Sequence, residues 1–297
     1  MSDYVLLSDS TTDLPPGMTR DLDIALVPLS YIIDGVVYDD VWGERSENGI
    51  VSPTAPEFYE LMRQGKTVTT SQVNTQRFYD FFFQYITAGQ DIVYVAFSSG
   101  LSGTYEQACL AAKQLLENYP ERRITVIDSY LASLGEGLYV YFAAQKRLAG
   151  ASYDELVAYL IQIRMKMNGW VAVGDLNYLK QSGRLNAPTA LVGSMLKLKP
   201  IITVDTIGRL IMTRAVRGKN RSLATLIDLV ASKADDPTHN PIFISHTDCP
   251  ELEAELHQML EQRFAPPLII TSYIGPVIGS HIGPGTVALY FIGEERH

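Results

Sequence analysis

Short apolar runs, polar loops and amphipathic stretches alternate along the chain. The strongest run, 92–97, is a continuous buried-strand pattern. It breaks into Ser98-Ser99-Gly100-Leu101-Ser102-Gly103-Thr104-Tyr105 and resumes as a helix through 106–112. Around it the first half repeats the same alternation. Val5-Leu6-Leu7 ends at a polar loop, and 24–33 is strand-like, with Asp34-Gly35 turning it into a hairpin with Val36-Val37-Tyr38. Ser52-Pro53-Thr54 opens a helix through Phe58, Leu61 and Met62 that stops at Gly65. Thr69-Thr70-Ser71-Gln72 reads as a helix start, leading to Phe78, Phe81, Phe82 and Tyr85. A strand at 124–127 ends at Asp128-Ser129, and a helix covers 131–148. Strands alternating with helices predict a parallel sheet, with ligands outside the carboxyl ends of its strands. The loops that begin at Ser8, Ser98 and Asp128 share that edge.

Ser152 and Glu155 form a capping box that opens a helix to about Met167. Asn168-Gly169 then separates an N-terminal α/β domain, 1–168, from a C-terminal one, 169–297. The second half predicts strands at 170–173, 199–204 and 209–216, the last two joined by a turn at 205–208. Helices follow at 220–234 and 250–263, and strands at 242–245, 268–273 and 286–291. The antiparallel pair at 199–216 makes this sheet mixed or antiparallel. The Gly- and Pro-rich run 275–285 reads as a connector with special backbone geometry around His281.

Bulk properties narrow the function. With 297 residues, 46% of them hydrophobic, the chain is long enough for a large core and for two domains. A net charge of -9 argues against a general nucleic-acid binder. No apolar run reaches membrane-span length, and Met1-Ser2-Asp3-Tyr4 carries no basic leader, so the expectation is a cytoplasmic protein. Cys109 and Cys249 are far apart, and no histidine pair has ligand spacing, so no metal site is expected.

The strand–loop–helix at 92–112 is an anion site in outline. Helix N-terminal N–H groups lack intrahelical partners, glycines admit close approach, and serine hydroxyls donate. Ser102 as a simple helix cap is the plainer alternative. Further on, Lys197, Lys199, Arg209, Arg214, Arg217, Lys219 and Arg221 cluster with Asp205 as the only acid. That is either a solvated face or a site for an acidic partner or phosphate, with Arg184 nearby.

Together these loops resemble the DegV family, fatty-acid-binding proteins that include the B subunit of bacterial fatty acid kinase. The resemblance rests on Asp9-Ser10-Thr11-Thr12-Asp13-Leu14-Pro15, Thr70-Ser71-Gln72, the 98–105 loop, Asp128-Ser129, Ser182-Gly183-Arg184 and His281-Ile282-Gly283-Pro284-Gly285-Thr286, in this order over nearly the whole chain. Val73 departs from it, standing where the family often has proline. The resemblance implies a two-domain α/β fold with a long-chain fatty acid in a tunnel between the domains. Its carboxylate would be held by Thr70 and Ser102 with His281 close by, and Ser71, Ser98, Ser99 and Gly100 are further candidates. It also implies a separate ATP-binding kinase subunit that phosphorylates the bound carboxylate. Arg184, Arg214 and Arg217 would then face that partner, and this chain would have no catalytic residue and no cofactor.

The residues agree in part. No lysine or Walker spacing occurs in 99–104. An apolar tunnel would gain about 0.8 kcal/mol per buried methylene. Two other readings remain. One is a serine hydrolase using Ser102, Asp248 and His281, whose order fits but whose Gly100-Leu101-Ser102-Gly103-Thr104 misses the Gly-x-Ser-x-Gly elbow. The other is a lipid carrier without a kinase.

Overall fold

The structure, a computed structural model, describes residues 4–46, 49–186 and 198–296. The leader reading at Met1, Ser2 and Asp3 and the cationic Lys197 lie outside the described residues. The alternation in the first half forms a parallel sheet of β1 (Tyr4–Asp9), β2 (Ala25–Val27), β6 (Asp91–Ala96) and β7 (Ile124–Asp128), in the order β2-β1-β6-β7. All six residues of β6 are buried, as a central parallel strand covered on both faces requires.

A small antiparallel sheet, β4 (Val36–Asp39), β3 (Ser30–Ile33) and β5 (Val68–Ser71), sits beside it. The Asp34-Gly35 hairpin is as expected, with positive φ at both residues. The stretch 69–72 differs from the sequence reading. It is not a helix start: Thr69, Thr70 and Ser71 belong to β5, where β-branched threonines fit a pleated strand. The helix begins later, with α3 (Thr75–Thr87) capped by Asn74.

The second sheet is mixed. Among the described residues its order is β13 (Ile269–Tyr273), β12 (Ile242–His246), β14 (Val287–Ile292), β8 (Met167–Ala172), β10 (Leu198–Val204), β11 (Leu210–Arg217) and β9 (Leu185–Asn186). β8, β10, β11 and β14 pair antiparallel, while β12–β13 and β11–β9 are parallel.

The layers follow from which faces are apolar. On one side of the parallel sheet, Leu7, Tyr94 and Ala96 pack against α3 and α4 (Thr104–Asn118) through Phe78, Phe82, Ala108, Ala111 and Leu115. On the other side, Leu6, Val93 and Val95 meet α5 (Leu134–Leu148) and α6 (Tyr153–Ile163). The same core continues through α5 into Val171, Ile202 and Tyr290 of the mixed sheet, whose far face packs on α8 (Lys219–Lys233) and α9 (Pro250–Phe264). α5 therefore lies between the two sheets, which is why its first turns are buried on every side. Two of its glycines allow this. A Cβ on Gly137 would fall 2.5 Å from the Thr12 carbonyl oxygen, and one on Gly135 would fall 2.8 Å from the Tyr290 ring.

The run 275–285 is also more than a connector. It contains α10 (Pro276–Ile282), with Pro276 in its first turn, packed against α7 (Leu176–Ser182), β5 and α2 (Ala55–Arg63).

Candidate functional site

Where the 97–103 loop, β5, α10 and the inner face of the mixed sheet converge lies a cavity of about 540 Å³, within the range of small-ligand sites. Its two ends differ chemically. One carries Thr70, Ser71, Gln72, Ser102, Gly103, His281 and Arg184; the body is lined by residues such as Leu29, Phe97, Leu131, Val171, Ile202 and Ile278.

Each polar group is placed by its element. Thr70 comes from β5 and His281 from the last turn of α10, and Thr70 Oγ1 lies 2.9 Å from His281 Nε2. Burial and the positive charge of Arg184 hold the imidazole down to about 4, so it is neutral at neutral pH. It is a hydrogen-bonding group here and not a counter-ion. The nearby cation is Arg184, just after the Gly183 that ends α7. Ser102 precedes α4, and its Oγ is 2.9 Å from Thr104 Oγ1 and accepts from the Thr104 N–H at 3.3 Å. It therefore takes up the first N–H of α4, whose N-cap is Gly103, and also lines the cavity.

Other candidates are placed elsewhere. Ser98 is fully buried and donates to the Gly208 carbonyl at 2.8 Å, and a Cβ on Gly100 would lie 2.6 Å from the Ile207 carbonyl oxygen. These two residues seat the 205–208 turn of the second sheet, and neither lines the cavity. The Ser99 N–H donates to Asp128, again away from it. Arg214 and Arg217 are exposed on β11, outside the cavity lining and without an ion pair among the described residues. In the rest of the cationic segment, Lys199 donates to the Gly174 carbonyl and Lys219 pairs with Glu255. Val73, the departure from the family pattern, is buried in the core with Phe78, Phe82 and Phe97.

No hydrolase relay is assembled. The Asp248 carboxylate is held by Arg63 at 2.6 Å, His281 faces Thr70, and Ser102 faces Thr104. No group of His, Cys, Asp and Glu among the described residues is arranged to hold a metal ion, and no described helix is long and apolar enough to cross a membrane.

One feature has no local signature in the sequence. Asp9, Asp13, Asp40 and Glu136 are all buried, spread over more than a hundred residues of chain. Asp13 accepts from the Gly275 N–H at 2.9 Å and from Ser133; Asp40 accepts from the Val277 N–H at 3.1 Å and from Ser10 at 2.7 Å. Two carboxyl groups from the first half thus hold the N-terminal N–H groups of α10, the helix that presents His281. Glu136 accepts from Thr11 and Ser8, and Asp9 from Tyr94 and the Phe97 N–H. Burial raises all four, Asp40 to about 6 and Asp13 and Glu136 well above the carboxylate range. Ser133 belongs to the same network, held at φ 55 and ψ -151, a backbone region nearly confined to glycine, by its bonds to Asp13 and Ser245.

A family model described as uncharacterised protein, DegV family, matches residues 4–294. The chain belongs to the DegV family. A DegV domain-containing protein of Clostridium perfringens is 38% identical over 297 residues, covering 100% of this chain and 99% of that one. A solved DegV family protein of Thermus thermophilus, described by its fatty acid binding, superposes with a TM-score of 0.86 at 28% identity over 98% of this chain and 99% of that one. A Thermotoga maritima protein whose structure is described as revealing fatty acid binding function gives 0.82 at 26% identity, over 99% and 100%. The α/β architecture, with its parallel and mixed sheets, is thus that of the DegV structures.

Proposed function

We propose that this DegV protein binds one long-chain fatty acid in the 540 Å³ cavity and presents its carboxylate to a separate ATP-dependent kinase. The observation that carries the binding reading is the polarity of the cavity: hydroxyls, an imidazole and a guanidinium at one end of an apolar barrel. A carboxylate there accepts hydrogen bonds from Thr70 and Ser102, with His281 held beside it by Thr70 and Arg184 supplying positive charge. The tail removes its methylenes from water against Leu, Ile, Val and Phe side chains. The fatty-acid-binding relatives support this reading. Presentation to a kinase rests on the exposed Arg214 and Arg217 and on the family resemblance. The 99–104 loop lacks the Walker spacing and no hydrolytic relay is assembled among the described residues, so the expected outcome is that the chain alone turns over neither ATP nor acyl esters.

Native mass spectrometry of the purified protein tests the binding reading. The expected species carries one fatty-acid mass, and Ser102→Ala and Thr70→Ala each weaken fatty-acid affinity by roughly 1–3 kcal/mol, the scale of a hydrogen bond to a charged group. Unchanged affinity in both variants would remove these residues from the carboxylate site.

A further inference from the structure

The end of the cavity away from Thr70 and His281 is built around one ring. Tyr290 of β14 stands opposite Gly169 of β8, and both line the cavity. The ring is seated between two glycines from different layers. A Cβ on Gly169 would fall 3.0 Å from its Cδ1, and one on Gly135 of α5 would fall 2.8 Å from the same atom. The Gly169 backbone has an ordinary φ, so conformational freedom does not explain a glycine there; the space taken by the ring does.

β8 runs away from the segment that follows His281. The chain just past β8 passes beside the 284–286 segment that follows His281, where the Gly174 N–H donates to Thr286 Oγ1 at 2.9 Å. From Val173 back to Gly169 a strand recedes about 13 Å, at roughly 3.3 Å per residue.

The polar atoms at this far end are already engaged. The Tyr290 hydroxyl is 3.2 Å from Ser245 Oγ, the Ser133 hydroxyl is bonded to Asp13, and the Thr203 hydroxyl donates to the Gly169 carbonyl at 2.7 Å. With these hydroxyls engaged, the lining by Tyr290, Val204 and Leu210 is suited to a terminal methyl and not to a head group.

We infer that Tyr290, seated by Gly135 and Gly169, is the stop that sets acyl-chain length in this protein. The inference rests on the fatty-acid reading above and deepens it. A chain that reaches the ring buries every methylene, and each one gained is worth about fourfold in affinity. One carbon more must displace a side chain wedged between two backbones, and close-packed interiors resist that.

The test is a titration of the purified, delipidated protein with saturated fatty acids of increasing length. The wild type should show affinity rising with each methylene to an optimum and then falling. Gly169→Ala pushes the ring into the cavity and should move the optimum shorter by about one to two carbons. Tyr290→Ala should move it longer, and Tyr290→Phe, which keeps the ring, should leave it in place. If Tyr290→Ala fails to fold, Gly169→Ala decides alone. An optimum that stays put in a folded Gly169→Ala protein, or that moves equally in Tyr290→Phe, overturns the inference while fatty-acid binding stands. A wild type that binds no chain of any length overturns both together.

Discussion

The two large sheets contribute to the cavity in opposite ways. The parallel sheet offers its edge: the 97–103 loop at the carboxyl end of β6 brings Ser102 and Gly103, while β6 itself stays buried. The mixed sheet offers a face: Gly169, Val171, Ile202 and Tyr290 line the barrel from strand interiors. An edge of loops can carry hydrogen-bonding groups without a desolvation cost to the core, and a sheet face can present a long apolar wall. A ligand with a charged head and a greasy tail needs both, and α5 lies in the seam between them.

Breaking the seam should have the largest effect. Asp13→Ala leaves the Gly275 N–H unpaired in the interior, leaves the Ser133 hydroxyl only Ser245, and removes one of the two carboxyl groups at the start of α10. Leaving one buried donor unpaired and weakening a second predicts a destabilisation of roughly 3 kcal/mol, read by urea unfolding, with loss of fatty-acid binding as His281 loses its support. A variant as stable as the wild type would mean that α10 is held by other contacts.

A pH series separates the acidic seam from the polar mouth. Asp40 ionises less readily in the fold than in the unfolded chain. Its stabilisation is therefore full below about pH 4 and is lost as pH rises through about 6. His281, held down to about 4, acts the other way, and its contribution is present above about pH 6.5 and lost as pH falls towards 4. The two slopes oppose each other in the wild type, so the informative quantity is a difference. Asp40→Asn, which mimics the neutral acid, should match the wild type near pH 4. At pH 7.5 it should exceed it by about 3 kcal/mol, the equivalent of a shift of about two units. Equal stability at both pH values would show that Asp40 titrates normally.

The smallest effects should come from the exposed arginines. Arg214→Ala and Arg217→Ala should leave fatty-acid retention unchanged but slow acyl phosphate formation with the kinase, less so at high salt because exposed charges are screened over about 10 Å at 0.1 M. Arg184→Ala should weaken binding as well, since its side chain lines the cavity. Turnover unaffected in the first two returns β11 to the role of a solvated face.

Sequence legibility follows the same division between edge and face. The β6–loop–α4 unit, the capping box at Ser152 and Glu155, and the 205–208 turn are local patterns, and each folds as its residues suggest. Thr70, Ser102 and His281 were named through the family resemblance, and the structure brings all three to the cavity lining. Asp9 and Asp13 stand in one of the motifs that carry the resemblance, but nothing near them in the chain announces Asp40, Glu136 or the α10 amides as their partners. Tyr290 and Gly169 are hidden for a related reason. One sits in an apolar strand and the other looks like a boundary glycine, and only register brings them together. Ser98 and Gly100 misled in the opposite direction, because a small polar loop that seats a neighbouring hairpin has the same composition as one that seats an anion.

The position of α5 bears on how the chain reaches this state. A helix buried on one side by Leu6, Val93 and Val95 and on the other by Val171 and Tyr290 cannot satisfy either side by itself. Until both sheets are in place, one of its faces stays in water. Partly folded forms in which only one half is ordered would carry that exposed stripe and be driven to complete or to associate. Unfolding should therefore be a single cooperative transition in spite of the two sheets, and severing the chain near 168 would divide a shared core.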